Sequence, residues 1–289
     1  MSSLLTPEQL DHYHEQGYLL LPSFLDSSLL ANAKEALWQH YPTPERYHAN
    51  PDDYPKLGKS QFAGLIPFPW SGFALNRLVV THKLIEIAAQ ILESDDIRLT
   101  KAELWAKYQG AINYDQGYHR DFGNHTLLVP RRDHRYKELT TFLFLSDVTK
   151  ETGATALIPR TETDHLPFSQ HQLAAGSEMN KPVYAEGPAG SLLLYSYDVF
   201  HRGRELTEPD SARFMVLADF ARRDAPWIDR HAWPHHGLRP EMNEFLAKID
   251  VRQRNLMDFP PPGHEYWNEQ TLNDVQQRYP DMDMTPYKT

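Results

Sequence analysis

Residues 81–108 read THKLIEIAAQILESDDIRLTKAELWAKY, and within this stretch the spacing of the apolar side chains changes. From Thr81 to Leu92 the residues Leu84, Ile85, Ala88, Ile91 and Leu92 recur on one helical face, which predicts a helix. From Ile97 to Tyr108 the period falls from about 3.6 to about 2, the repeat of a strand whose side chains alternate between two faces. Further strands are expected at 139–145, 154–158, 190–195 and 213–220, where runs such as TTFLFL and SLLLY are bounded by Gly, Pro, Asp and Thr. No helix recurs between these strands, so a parallel doubly wound sheet is disfavoured. An antiparallel sheet closing into a sandwich or barrel is expected, mainly β with flanking helices.

On the N-terminal side, Thr6-Pro7-Glu8-Gln9 reads as a helix start, with Thr6 as N-cap, Pro7 at the first helical position and Gln9 closing a capping box. Gly17 ends that helix, Tyr18 to Pro22 forms a short strand, and Asp26-Ser27-Ser28 caps a second helix. Residues 41–69 are rich in Pro, Gly, Tyr and Asp without a sustained period, and are expected to form a long ordered loop. The tail after Trp227 returns to helices and Pro-rich loops. With no repeat and no convincing boundary, one domain is expected: N-terminal helices and loop over 1–96, the β core over 97–222 and an extension over 223–289.

Composition narrows the function. The 289 residues carry 29 basic and 39 acidic side chains, a formal charge of −10, and no basic run that would hold nucleic acid or an anionic membrane. There is no cysteine, which removes thiol nucleophiles, disulfides, thiolate zinc sites and iron–sulfur clusters, and leaves 15 histidines and the carboxylates as strong metal ligands. Neither a signal peptide nor an apolar run of about 18 residues is present, so a cytoplasmic setting is expected.

The sharpest local feature is Tyr118-His119-Arg120-Asp121. On an extended segment His119 and Asp121 point to the same side and Arg120 points away. His201, after the run GSLLLYSYDVF, can join them from an opposite wall of a small barrel. Two histidines and one carboxylate on one face leave the other positions of an octahedral ion open, the pattern of non-haem Fe(II) oxygenases. Twelve residues further on, Arg213 lies on a strand whose faces are both largely apolar, and its guanidinium there requires an anion, either a 2-oxo acid cosubstrate or a protein carboxylate. Lys107 shares a face with Trp105, reaching cosubstrate or substrate in one reading and solvent in the other. Asn124, His125 and Thr126 follow the motif closely enough to line the same cavity. Asp198, three residues before His201, either orients that histidine or is a solvated turn residue. The run HRDFG combines two kinase motifs that kinases keep apart, and the rest of the kinase context is missing.

These segments together resemble the phytanoyl-CoA dioxygenase family of Fe(II)/2-oxoglutarate oxygenases over about residues 4 to 225. LTPEQLDHYHEQGYLLLPSFL is similar to the family's opening helix and strand, YHRDFGNHT holds its H-x-D, LTTFLFLSDVTKETGATALIPRTETDH resembles its middle block, and GSLLLYSYDVFHRGRE followed by Arg213 resembles its distal histidine and carboxylate-binding arginine. Two departures stand out: Thr152-Gly153 with Pro159-Arg160-Thr161 in the middle block, and Gly203 where Ser is frequent.

The resemblance implies a double-stranded β-helix core of jelly-roll or cupin type. It implies His119, Asp121 and His201 as iron ligands, Arg213 as partner of the distal 2-oxoglutarate carboxylate, and O2 as the second cosubstrate; Thr126, by its closeness to the metal motif, and Lys107, by its strand face, are the candidate further cosubstrate contacts. The carboxylate at Asp121 disfavours halogenation, for which related enzymes keep a small residue there. The expected activity is hydroxylation of an unactivated C–H bond in a small, partly apolar molecule, with 2-oxoglutarate converted to succinate and CO2. Desaturation, ring closure or demethylation with the same cofactors is the alternative, and a non-catalytic sensor of metal or 2-oxo acid, or a zinc hydrolase on the same ligands, is the alternative from another class.

Overall fold

The computed structural model describes residues 4–125, 138–174, 182–225 and 233–288. Helix α1 (Pro7–Gln16) begins as its sequence requires: Thr6 accepts from the Gln9 backbone while the Gln9 side chain accepts from the Thr6 backbone, and Gly17 closes the helix in the left-handed region at φ 81°. Strand β1 (Tyr18–Leu21) follows, then α2 (Ser27–Leu37). The segment expected to be a loop is partly regular. It contains α3 (Pro44–Ala49), started by the Thr43 side chain, and β2 (Leu65–Pro67), a three-residue strand held by pairing rather than by any pattern of its own. After the short α4 (Phe73–Asn76), α5 (His82–Ile91) starts at the Thr81 cap and buries Leu84, Ile85, Ile87, Ala88 and Ile91.

The remaining elements are β3 (Ile97–Tyr108), α6 (Phe122–His125), β4 (Glu138–Phe144), β5 (Ala156–Ile158), α7 (Arg160–Thr163), β6 (Val183–Tyr184), β7 (Leu192–Ser196), β8 (Phe200–Arg202), β9 (Ala212–Arg222), α8 (Pro240–Lys248), α9 (Val251–Asn255) and α10 (Glu269–Arg278). Six strands form an antiparallel sheet in the order β1-β7-β4-β9-β3-β2, and three form a smaller antiparallel sheet in the order β6-β5-β8. Phe142, Leu193, Tyr195, Met215 and Leu217 of the large sheet share an apolar cluster with Leu157 of the small sheet and Val199 beside it. The architecture is therefore two sheets facing each other with helices outside, the cupin-like class expected from the sequence. The opposite face of the large sheet, through Leu104, Phe214, Val216 and Phe220, joins the cluster that takes in α2, α5 and α8. Each fully buried side chain of this kind contributes about 1.5–3 kcal/mol.

A bulge between Leu99 and Lys101 sets which side chains enter the space between the sheets. Before it, Ile97 and Leu99 face the helices. After it, Ala102, Leu104, Ala106 and Tyr108 do, and the intervening set Lys101, Glu103, Trp105 and Lys107 turns inward. Among the described residues no helix is long and apolar enough to cross a membrane.

Candidate metal centre

His119 and His201 are held together by the backbone before any side chain acts. The His119 amide donates to the His201 carbonyl at 3.0 Å and the His201 amide returns the bond at 2.9 Å, so the two imidazoles stand side by side with ring centres 4.5 Å apart. His201 reaches this position from β8, which pairs with β5 after a tight turn from β7. Asp121 follows His119 by two residues and points the same way. Arg120 turns to the other side, donating to the carbonyls of Thr163, Pro167 and Gln170 and lying 4.1 Å from the Phe200 ring centre.

Asp121 Oδ1 lies 3.8 Å from His119 Nε2 and 3.5 Å from His201 Nε2, and the three donor atoms fall within 4.8 Å of one another. Two atoms each about 2.1 Å from one ion are about 3 Å apart at a right angle and about 4.2 Å apart when opposed, so these separations suit a single first-row ion. The tautomers agree with that use. His119 Nδ1 bonds the Gly117 carbonyl at 2.9 Å and His201 Nδ1 bonds the Val199 carbonyl at 3.1 Å, which puts the proton on Nδ1 and leaves the Nε2 lone pair for a metal. The Tyr195 hydroxyl stands behind the group, 3.5 Å from Asp121 Oδ2 and 3.3 Å from His201 Nε2.

The same cleft, with about 1000 Å³ of space counted to its open mouth, is also lined by Arg213. Arg213 is buried, donates to the Gly153 carbonyl, and has no carboxylate at ion-pair distance among the described residues. Burial pulls its guanidinium down to about 10. Directly across the strand register sits Lys107, whose ammonium donates to the Arg204 carbonyl at 2.7 Å. Lys107 is buried, which removes the reading of it as a solvent-seeking surface lysine; burial first, and Arg213 second, pull its pKa down to about 7. Thr126 lies outside the described residues, as do the side chains of Asn124 and His125.

Two departures noted in the sequence now have physical accounts. A Cβ at Gly203 would stand 2.9 Å from Gln116 Oε1, which accepts the Gly203 amide proton at 2.8 Å, so the glycine makes room for Gln116 on the cleft wall. Arg160 of the middle block forms a buried ion pair with Asp198 at 3.0 Å and donates to the His14 carbonyl. Asp198 therefore neither accepts from His201 nor faces solvent; it ties the turn before His201 to α1 and α7. Elsewhere, His236 is buried with Nδ1 on the Phe68 carbonyl at 2.6 Å, a structural role, and Met282 and Met284 are buried in the core, so the tail is docked on the body.

Sequence reading missed Lys101 and Glu103 on the cleft wall, and Tyr195 beside the histidines. Lys101 and Asp219 form a buried pair at 2.8 Å, and the Tyr197 hydroxyl donates to the same carboxylate at 2.8 Å. Burial works against the Lys101 ammonium, but the carboxylates of Asp219, Glu103 and Asp121 outweigh it and hold its pKa above the ordinary lysine range. Glu103 Oε2 accepts from the Trp105 indole at 3.0 Å.

A model of the phytanoyl-CoA dioxygenase family matches residues 13–214. Several solved structures share the fold. The epimerase SnoN in complex with Fe3+, alpha ketoglutarate and nogalamycin RO is 18% identical, over 91% of this chain and 93% of that one, with a TM-score of 0.56. The non-heme alpha ketoglutarate dependent carbocyclase SnoK from nogalamycin biosynthesis is 17% identical, over 78% and 87%, with a TM-score of 0.56. HygX from Streptomyces hygroscopicus with nickel and 2-oxoglutarate bound is 16% identical, over 77% and 89%, with a TM-score of 0.55. At these identities the likeness is one of fold. No curated protein sequence matches the chain.

Proposed function

The chain belongs to the phytanoyl-CoA dioxygenase family, and from that premise we propose that it hydroxylates an unactivated C–H bond of a small organic molecule. It is an oxidoreductase whose cofactors are Fe(II), 2-oxoglutarate and O2. The observation that carries the site assignment is the donor set itself: His119, Asp121 and His201 present two Nε2 lone pairs and a carboxylate oxygen within 4.8 Å. These three residues hold the iron in our reading. With the ion and its cosubstrate bound, the site couples decarboxylation of 2-oxoglutarate to succinate with activation of O2 for attack on the C–H bond.

The protein's own contribution is position, charge and dryness. The backbone carbonyls of Gly117 and Val199 keep each imidazole in the ligating tautomer. The Tyr195 hydroxyl steadies Asp121 at its second oxygen. Arg213 receives the distal carboxylate of 2-oxoglutarate, and Lys107, beside it, adds a second positive charge when protonated. We keep Thr126 as a further cosubstrate contact. Phe62, Trp105, Phe142, Met215 and Leu217 wall the cleft and keep water from the reacting carbon.

The substrate is a small molecule, as the molecules bound to or made with the structural neighbours are. The reducing cytoplasm, where Fe(II) is available, is the setting we assign. The reaction type is tested by running turnover under 18O2 and weighing succinate and product. Hydroxylation predicts one labelled oxygen in the product for each succinate formed. A product lighter by two hydrogens, without label, would replace hydroxylation by desaturation or ring closure, and binding of 2-oxoglutarate without succinate across many candidate substrates would support a sensor.

A further inference from the structure

The cleft wall that Gln116 shares with Arg213 carries a neutral donor that the protein itself leaves unused. Gln116 is tied to Gly203 twice: its backbone amide donates to the Gly203 carbonyl at 2.9 Å, and its side-chain Oε1 accepts the Gly203 amide proton at 2.8 Å. A backbone N–H bonds only an acceptor, so the oxygen of the side-chain amide is the end fixed at Gly203 and the Nε2 protons point elsewhere. Among the described residues Nε2 has no hydrogen-bond partner, and Gln116 is half-buried rather than sealed in the core. The position depends on the glycine, because a Cβ at residue 203 would stand 2.9 Å from Oε1 and crowd the amide out.

The surroundings of Gln116 indicate what the donor serves. Gln116, Gly203 and Arg213 line the cleft of the metal centre, and the same three with Lys107 line a smaller adjoining chamber that none of His119, Asp121 and His201 reaches. The amide therefore belongs to the Arg213 end of the cosubstrate rather than to its chelating end. A carboxylate has about four acceptor positions, and a guanidinium fork fills about two of them. One N–H of Arg213 is already spent on the Gly153 carbonyl. A further donor is needed, and a side-chain amide supplies it without adding charge where Arg213 and Lys107 already stand across the register from each other. We infer that Gln116 is a cosubstrate-binding residue whose Nε2 donates to the distal carboxylate of 2-oxoglutarate, so that selectivity for a dicarboxylic 2-oxo acid rests on Gln116 as well as on Arg213. This rests on the oxygenase reading above and adds a residue to its cosubstrate site.

The test titrates 2-oxoglutarate calorimetrically into Fe(II)-loaded protein under nitrogen, beside 2-oxopentanoate, which keeps the chelating end and the chain but lacks the distal carboxylate. Gln116→Met removes the donor without adding charge and should raise the Kd of 2-oxoglutarate about tenfold. Gln116→Glu keeps an oxygen for the Gly203 amide, sets a carboxylate where the donor was, and should raise that Kd by more than about tenfold. In both variants the Kd of 2-oxopentanoate should stay within about twofold of the wild type, as should the Fe(II) affinity read by competition with a chelator. An unchanged Kd of 2-oxoglutarate in Gln116→Met would overturn the inference, even if Gln116→Glu weakened binding by repulsion. Equal losses for the two acids, or a loss of Fe(II) affinity that accounts for them, would overturn it in favour of a structural tie to Gly203. The two readings fail differently. A wild type that does not bind 2-oxoglutarate removes the cosubstrate reading and this inference with it, whereas wild-type binding that both variants retain removes this inference alone.

Discussion

The Nδ1 protons of His119 and His201 are both committed to backbone carbonyls, so neither ring can turn its other nitrogen to the metal without breaking a hydrogen bond. Replacing either histidine, or Asp121, by Ala should weaken Fe(II) binding by about 10²-fold or more, measured by competition with a chelator. Retained metal affinity would place the centre elsewhere. Lys107 supplies a pH test. Its pKa, pulled to about 7, means that it is charged below that pH and neutral above it, with Arg213, Asp115 and Glu205 as the charges that act on it. A dianion prefers the charged form, so the Kd of 2-oxoglutarate should rise by up to about tenfold per pH unit above about 7 until the pKa of the complex is passed. Lys107→Met should be weaker at pH 7 and flat above it. The clustering of the three candidate ligands was legible because alternation within His119-Arg120-Asp121 survives in the structure and His201 is brought beside them. Arg213 stood out by its charge on an apolar strand, whereas Tyr195 gave no sign, being one aromatic residue in an apolar run.

At the scale of elements, what was legible is what carries its own instructions. The capping box of α1, the apolar face of α5 and the alternation of β3 are local patterns, and these elements lie where the pattern places them. Strands β2, β6 and β8 have three, two and three residues and exist because a neighbour offers backbone partners, which no local pattern records. The bulge at Leu99/Lys101 is the costliest omission. It reverses the parity of β3, so a set of polar residues that would ordinarily face water lines the cleft instead. Two elements invite mutation. A Cβ at Gly64 would stand 2.0 Å from the Ala106 carbonyl oxygen, so Gly64→Ala must push β2 away from β3 and should lower stability by about 1–3 kcal/mol, seen as a lower denaturation midpoint. Leu65, next to it, lines the cleft, so the same variant should also raise the substrate KM. Asp198→Ala leaves Arg160 buried without its partner and should cost about 3–5 kcal/mol, much of it recovered by the double change Arg160→Met with Asp198→Leu. A single variant as stable as the wild type would mean that the pair does not hold the turn before His201.

The described molecule is two sheets whose inner faces line the cleft, with the other face of the large sheet closed by helices from both ends of the chain. That layering explains why composition pointed the right way without identifying a site. Most of the described acidic side chains are exposed or half-exposed, whereas Lys101, Glu103, Lys107, Asp121, Arg213 and Asp219 are buried, a distinction that a total does not show. The antiparallel class followed from strands without intervening helices. The closure of the two sheets around one cleft is long-range, since it brings residues 101, 119, 201 and 213 together, and the resemblance of ordered motifs conveyed it where periodicity could not. The central claim, that one face made of His119, Asp121 and His201 holds iron while Arg213 holds the cosubstrate, is tested most directly by adding Fe(II) and then 2-oxoglutarate to the metal-free protein under nitrogen and recording the visible charge-transfer band. A band in the wild type, lost in His119→Ala and requiring at least about tenfold more 2-oxoglutarate in Arg213→Ala, is the predicted result. No band in the wild type at millimolar cosubstrate, or an undiminished band in His119→Ala, would contradict it.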